Sequence, residues 1–255
     1  MSLWSRLERR LGDLAGELVL DEYKGQLSQA RQLLAAGDVQ AAIDVLEALL
    51  SVKPDHGQAL IVLGDARLAT RDPARAQEAY ERAVALRGSD PAALVGMGLA
   101  LVALGKYAEA VAPLARAVSE AAGDRGILAD AYRGLGVAWR RRGDLDKAIR
   151  ELRKAVVEDP DDVEARAALG ESLMADGGPY DEAVRHLERA GEHALAMYAM
   201  GRLALIDGTP AIAAERFEKA HALAEADTTP LGTQLRADIL TGLGDAALAQ
   251  GDAMR

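Results

Sequence analysis

A leucine or methionine followed by glycine recurs along this chain at Leu63-Gly64, Met97-Gly98, Leu135-Gly136, Leu169-Gly170, Met200-Gly201 and Leu243-Gly244. The steps between the glycines are 34, 38, 34, 31 and 43 residues. Other columns keep the same phase. Small residues fall at Ala42, Ala76, Ala110, Ala148, Ala183 and Ala213, and again at Ala83, Ala117, Ala155, Ala190 and Ala220. Between these two columns stand Leu46, Tyr80, Leu114, Leu152, Leu187 and Phe217. A chain with this much internal repetition must build its core by stacking similar units on one another.

The cleanest copy, Ala129 to Asp162, shows what one unit is. Ala131, Tyr132, Leu135, Val137, Ala138 and Trp139 recur three and four apart, which is the spacing of one helix face and defines a helix A. Gly143 supplies a stop and Asp144 an N-cap, and Ala148, Ile149, Leu152, Ala155 and Val156 then repeat the spacing in a helix B. Pro160 closes the unit, because proline cannot donate an interior helical bond. Gly37, Gly105, Gly143, Gly177, Gly208 and Gly251 mark the turns between A and B in six copies.

In these columns the chain resembles the tetratricopeptide repeat family, whose unit is a helix-turn-helix of about 34 residues. The resemblance runs from about Tyr23 to the C-terminus. It implies an all-α fold, a right-handed superhelical α-solenoid of about seven repeats. The expected repeats lie near 23–56, 57–90, 91–124, 129–162, 163–193, 194–227 and 237–255, the last truncated. A half-repeat at the end would leave Leu240, Leu243 and Leu248 unpaired, which implies that the chain is the N-terminal part of a longer protein.

Local departures carry expectations of their own. Repeat one has Gln29-Ala30 in place of Leu-Gly, and repeat two has Arg71 where others have the turn glycine. Pro113 falls inside a helix B and should bend it. The four extra residues before repeat four fall near Gly123 to Leu128, so either the preceding helix B lengthens or a loop bulges. Ala224 to Arg236 reads as a longer connection. Residues 1–22 read as a separate amphipathic helix, with Leu3, Leu7, Leu11, Leu14 and Leu18 on one face. It could cap the first repeat, or serve as a partner face or peripheral membrane contact through 2–20.

Composition narrows the function classes. A net charge of −10 argues against a nucleic-acid footprint, which needs a basic face. Cysteine is absent, which removes thiolate metal sites and thiol nucleophiles and fits a cytoplasmic location. His56, His186, His193 and His221 show no two-histidine metal spacing, and the few serines form no nucleophile and base pair. No apolar run reaches the ~18 to 20 residues of a membrane span. The reading is therefore non-enzymatic, with no cofactor and no metal. Richness in Ala, Gly and Arg suggests a bacterial source, where such arrays serve secretion, polarity, motility or envelope assembly.

The expected working surface is the inner face of the A helices. Between the packing columns it carries Val95, Leu99, Val102, Val137, Met174 and Tyr198, with charges that include Glu164, Glu171 and Arg202 and a basic centre in repeat four of Arg133, Arg140 and Arg141. That pattern predicts an apolar groove for a partner's helix or extended peptide, whose carboxylates would meet the arginines. Trp139 sits in a packing column and is assigned to the core. The chain has no asparagine, so the carboxylate clamp of chaperone-binding family members has no counterpart here. Two alternatives stand beside the adaptor: a homotypic self-assembly module, and the regulatory arm of an enzyme whose catalytic domain lies beyond residue 255.

Overall fold

A computed structural model describes residues 23–253, and among them thirteen α-helices and no strand. The expected helix over 1–22 lies outside the described residues. Helix α1 covers 23–36. It is followed by α2 (Val39–Val52), α3 (Gly57–Ala69), α4 (Pro73–Arg87), α5 (Pro91–Ala103), α6 (Tyr107–Glu120) and α7 (Arg125–Arg141). Then come α8 (Leu145–Glu158), α9 (Val163–Ala175), α10 (Tyr180–Ala190), α11 (Ala194–Ile206), α12 (Pro210–Ala224) and α13 (Pro230–Ala253). Odd-numbered helices are the A helices and even-numbered ones the B helices of an all-α solenoid. The described residues divide after Gly88 into two compact units, α1 to α4 and α5 to α13.

Every A-to-B turn closes with the same main-chain bond. The amide two residues past the last helical turn reaches back to a carbonyl five residues earlier: Asp38 to Leu33, Asp72 to Arg67, Lys106 to Leu101, Asp144 to Trp139, Gly178 to Leu173 and Thr209 to Ala204, at 2.8 to 3.0 Å. This is the Schellman closure, and it needs a left-handed residue just before the donor. Gly37, Gly105, Gly143, Gly177 and Gly208 supply it with φ between 68° and 84°, and Arg71 takes the same position at φ 57°. Helix starts are equally regular. Asp72, Asp90, Asp124, Asp144 and Asp162 each accept a backbone N–H from the first turn of the following helix, a bond typically worth about 1 kcal/mol.

The glycine column explains how closely A and B approach. Gly64, Gly98, Gly170 and Gly201 are each the eighth residue of their A helix. Over each of them, and over Gly136 of α7, lies the bulky residue of the partner B helix: Tyr80, Leu114, Leu152, Leu187 or Phe217. In all five cases an ideal Cβ on the glycine would come within 3.0 Å of that side chain. Those bulky residues are completely buried, and so are Ala148 and Ala155 that flank Leu152. In the first unit the Tyr80 hydroxyl donates to Asp65 Oδ1 at 2.6 Å, so its one polar atom is satisfied inside the core.

The irregular spacings resolve differently from the expectation. The four extra residues of repeat four lengthen α7 at its start, to 17 residues against 13 in α5 and α9, because Asp124 caps the helix there. The presumed connection 224–236 is mostly helix: α13 begins at Pro230, where the Thr229 hydroxyl accepts the Gly232 amide and proline occupies the first helical position. Gly251 is helical, with no turn at that point. Helix α6 runs unbroken around the buried Pro113.

Candidate interaction surface

Within the second unit the A helices meet in sequence, α5 with α7, α7 with α9, α9 with α11 and α11 with α13. Helix α13 also touches α5, and an ideal Cβ on Gly105 would stand 3.9 Å from Pro230. Five A helices therefore close a ring, and the early start of α13 is what closes it.

Packing between adjacent helices corrects part of the expected groove. Val95, Val102 and Met174 are each only 6% exposed. Val102 belongs to a cluster with Leu101, Ala110, Leu114, Leu135 and Ala138, and Met174 to one with Leu169, Leu173 and Leu187. They are helix-to-helix packing residues, so Val102→Asp would damage the core rather than test a binding face. Leu99 is half-buried, with its Cδ2 3.0 Å from the point a Cβ on Gly134 would occupy. Val137 bridges two core clusters. Helix α9 shows the cause most clearly: every residue from Ala165 to Met174 is buried. Trp139 is half-buried, with the Arg142 guanidinium 4.5 Å and Lys147 Nζ 4.4 Å from its ring centre.

The charged residues do come together. Arg133 pairs with Asp130 at 2.6 Å, Asp162 at 3.0 Å and also Glu164. Burial disfavours its charge, but Glu164, Asp162 and Asp130 outweigh that and hold its pKa above the ordinary value. Arg140 Nη1 donates to Glu171 Oε2 at 2.5 Å, and the other oxygen of Glu171 lies 3.5 Å from Arg202. Arg202 in turn sits 5.8 Å over the Tyr198 ring. Arg141 has neither an ion pair nor a hydrogen bond on its buried Nε among the described residues. Burial and then the neighbouring Arg140 push its pKa down, against weaker opposing fields from Tyr107, Asp238 and Glu171. The centre thus gathers three guanidinium groups, Arg140, Arg141 and Arg202, with the carboxylates of Glu171, Asp238 and Asp245 around them. Beside it a cleft of about 320 Å³ opens between α11, α12 and α13, lined by Tyr198, Arg202, Phe217, Asp238 and Asp245 among others.

Two members of this surface were less legible in the repeat pattern. Glu171 falls among the charges of the inner face in the sequence, but its burial beside Arg140 did not show there: its side chain is 9% exposed. Asp238 fell within a half-repeat with no expected neighbour across the ring, and Thr229-Pro230 was the local sign that its helix begins early.

His193 N-caps α11 with its Nδ1 buried and unbonded, and burial pushes its pKa below the ordinary 6.5, with Glu164 and Asp162 opposing weakly. A folded-state pKa below the unfolded one favours the neutral ring in the native state. The associated stability is complete above pH 6.5 and is lost as pH falls through the folded value. Thermal melts between pH 7.5 and 5.5 should show a falling midpoint, and His193→Gln should reduce that fall. An unchanged slope would refute the assignment.

Among the described residues no three His, Asp or Glu side chains are placed to hold a metal ion, and no helix is long and apolar enough to cross a membrane.

Comparison with known proteins agrees with this architecture. Tetratricopeptide repeat models match residues 33–79, 61–125 and 129–162. The cellulose synthase operon protein C of Xanthomonas axonopodis pv. citri is 29% identical over 223 residues, covering 84% of this chain. The chain spans only 14% of that relative's length. Among solved structures, MamA is 26% identical with a TM-score of 0.52, over 63% of this chain and 91% of its own. PilF of Pseudomonas aeruginosa is 19% identical with a TM-score of 0.64, over 84% of this chain and 96% of its own.

Proposed function

Since this chain contains tetratricopeptide repeats stacked in an all-α solenoid, a scaffold for protein interaction, we propose that it is a non-enzymatic adaptor holding an acidic, extended segment of another protein at the arginine centre of its second unit. The observation that carries this reading is the half-buried Arg141 beside Arg140, whose buried Nε has no hydrogen-bond partner among the described residues. A carboxylate delivered there would meet a guanidinium that is partly desolvated and opposed only by the weaker fields of Asp238 and Glu171, the setting in which charge-assisted bonds are strong. An extended segment is favoured over a helix because the buried Val95, Val102 and Met174 leave no continuous apolar trough for a helix to lie in. The cleft by Tyr198 and Arg202 offers room for an adjoining side chain. Similarity to a protein of a cellulose synthase operon supports envelope assembly among the bacterial settings.

The test is quantitative capture from a bacterial lysate with the wild-type chain beside Arg141→Gln, both verified as helical by circular dichroism. Captured segments are then titrated directly. Loss of that pair should weaken binding roughly tenfold, with the difference shrinking as salt rises. Equal capture by both proteins would sink the proposal.

A further inference from the structure

The last helix carries a seat that the rest of the fold shows how to fill. Gly244 stands in the same column as Gly64, Gly98, Gly136, Gly170 and Gly201, yet among the described residues a Cβ added there would meet nothing within 4 Å. Its register is secure: Gly242 packs on Phe217 of the preceding helix as Gly134 packs on Leu114. The other side of α13 is buried through Ile239 and Ala246. Facing outward beside Gly244 are Leu240, 55% exposed, and Leu248, 71% exposed.

Every filled seat receives a B helix with a small residue, a bulky apolar residue four positions on and a small residue three further, as in Ala148, Leu152 and Ala155. The exposed stripe of α13 has that same order in Gly244, Leu248 and Gly251. One surface thus bears both the seat and the knob. We infer that two copies of this chain pair through α13, antiparallel about a two-fold axis near Ala246, with Leu248 of each copy seated on Gly244 of the other. Antiparallel pairing about that point sets residue 244 opposite residue 248 reciprocally, which is the self-complementarity a two-fold contact requires. The acidic flank of α13 does not oppose it. Asp238 and Asp245 both line the cleft with Arg202, within the same copy.

A single helix pair of about four turns buries less than the ~1,200 Å² below which associations are weak, so a dissociation constant on the order of 10 µM is expected. Sedimentation velocity from ~1 to ~300 µM should show the 26.9 kDa chain shifting towards twice its mass. Leu248→Asp, a change at an exposed site, should weaken the dimer at least about tenfold with unchanged helicity. Because the chain has no cysteine, Gly244→Cys and Leu248→Cys can be mixed and oxidised, and this pair should cross-link more than either variant alone. Arg141→Gln should leave the dimer intact, which separates this contact from the arginine centre. A wild type that stays monomeric throughout would overturn the inference. So would a dimer indifferent to Leu248→Asp, or equal cross-linking in all mixtures.

Discussion

Gly136→Leu should abolish cooperative folding of the second unit. An ideal Cβ at this position already overlaps Leu152 and lies 3.3 Å from the Ala148 carbonyl oxygen, a backbone atom with no rotamer to give. The remaining side-chain atoms would then have to push α8 off α7 and open the cluster of Leu101, Leu114 and Leu135 alongside. Overpacking by a few methylenes costs about 1 to 3 kcal/mol in ordinary cores, and here there is no slack to absorb it. Helix propensity works the other way, since replacing a helical glycine by alanine gains about 1 kcal/mol. The informative control is therefore Gly244→Ala, in the same column with an empty seat. Measured below ~1 µM, where α13 would be unpaired, it should stabilise by about 0.5 to 1 kcal/mol. Urea titration of both variants decides the matter: like-signed shifts would mean that the glycine column is not a packing column.

Glu171→Gln carries the second large expected effect. Glu171 and Arg140 have side chains 9% and 11% exposed, and Arg141 is the next residue along the helix. Removing the carboxylate charge leaves Arg140 and Arg141 side by side in a poorly solvated centre without the carboxylate that pairs with Arg140. Breaking one partner of a buried pair typically costs about 3 to 5 kcal/mol, whereas replacing both with apolar residues can be nearly neutral. The double variant Arg140→Met, Glu171→Met should accordingly lose much less than the single change. Chemical denaturation of wild type, single and double variants measures the coupling. If Glu171→Gln melted like wild type, the carboxylate would have no part in holding the ring together.

These expectations rest on positions that the repeat pattern exposes unequally. The knob-on-glycine contact was legible because Leu152 and Gly136 recur in phase in copy after copy, and a missing side chain in a helix needs a reason. The turns were legible for the same cause, with Arg71 standing where φ is positive and no glycine is present. The inner face was not. Periodicity separates a buried stripe from a solvated one only when a helix is covered on one side. In α9, wrapped by two B helices and two A helices, burial has no period at all from Ala165 to Met174. Apolar residues such as Val102 and Met174 then look like spare binding surface when they are contacts between neighbouring A helices. Closure of the ring was hidden for another reason. It depends on where α13 starts, and Thr229-Pro230 in a stretch rich in turn-formers reads as a linker until the helix beyond it is seen.

The uneven spacing of the column glycines has a spatial meaning. The A-to-B turns are all closed by the same main-chain bond and differ in length by little more than Pro179. The surplus and missing residues fall elsewhere: at the start of α7, at the end of the 11-residue α10 and at the start of α13. All three lie on the edge where B helices end and A helices begin. Within the second unit, length differences between repeats thus fall along one rim of the stack, while the opposite rim stays uniform. The variable rim is where such a chain can acquire new reach, as α13 did in touching α5, without altering the glycine seats on which its folding depends.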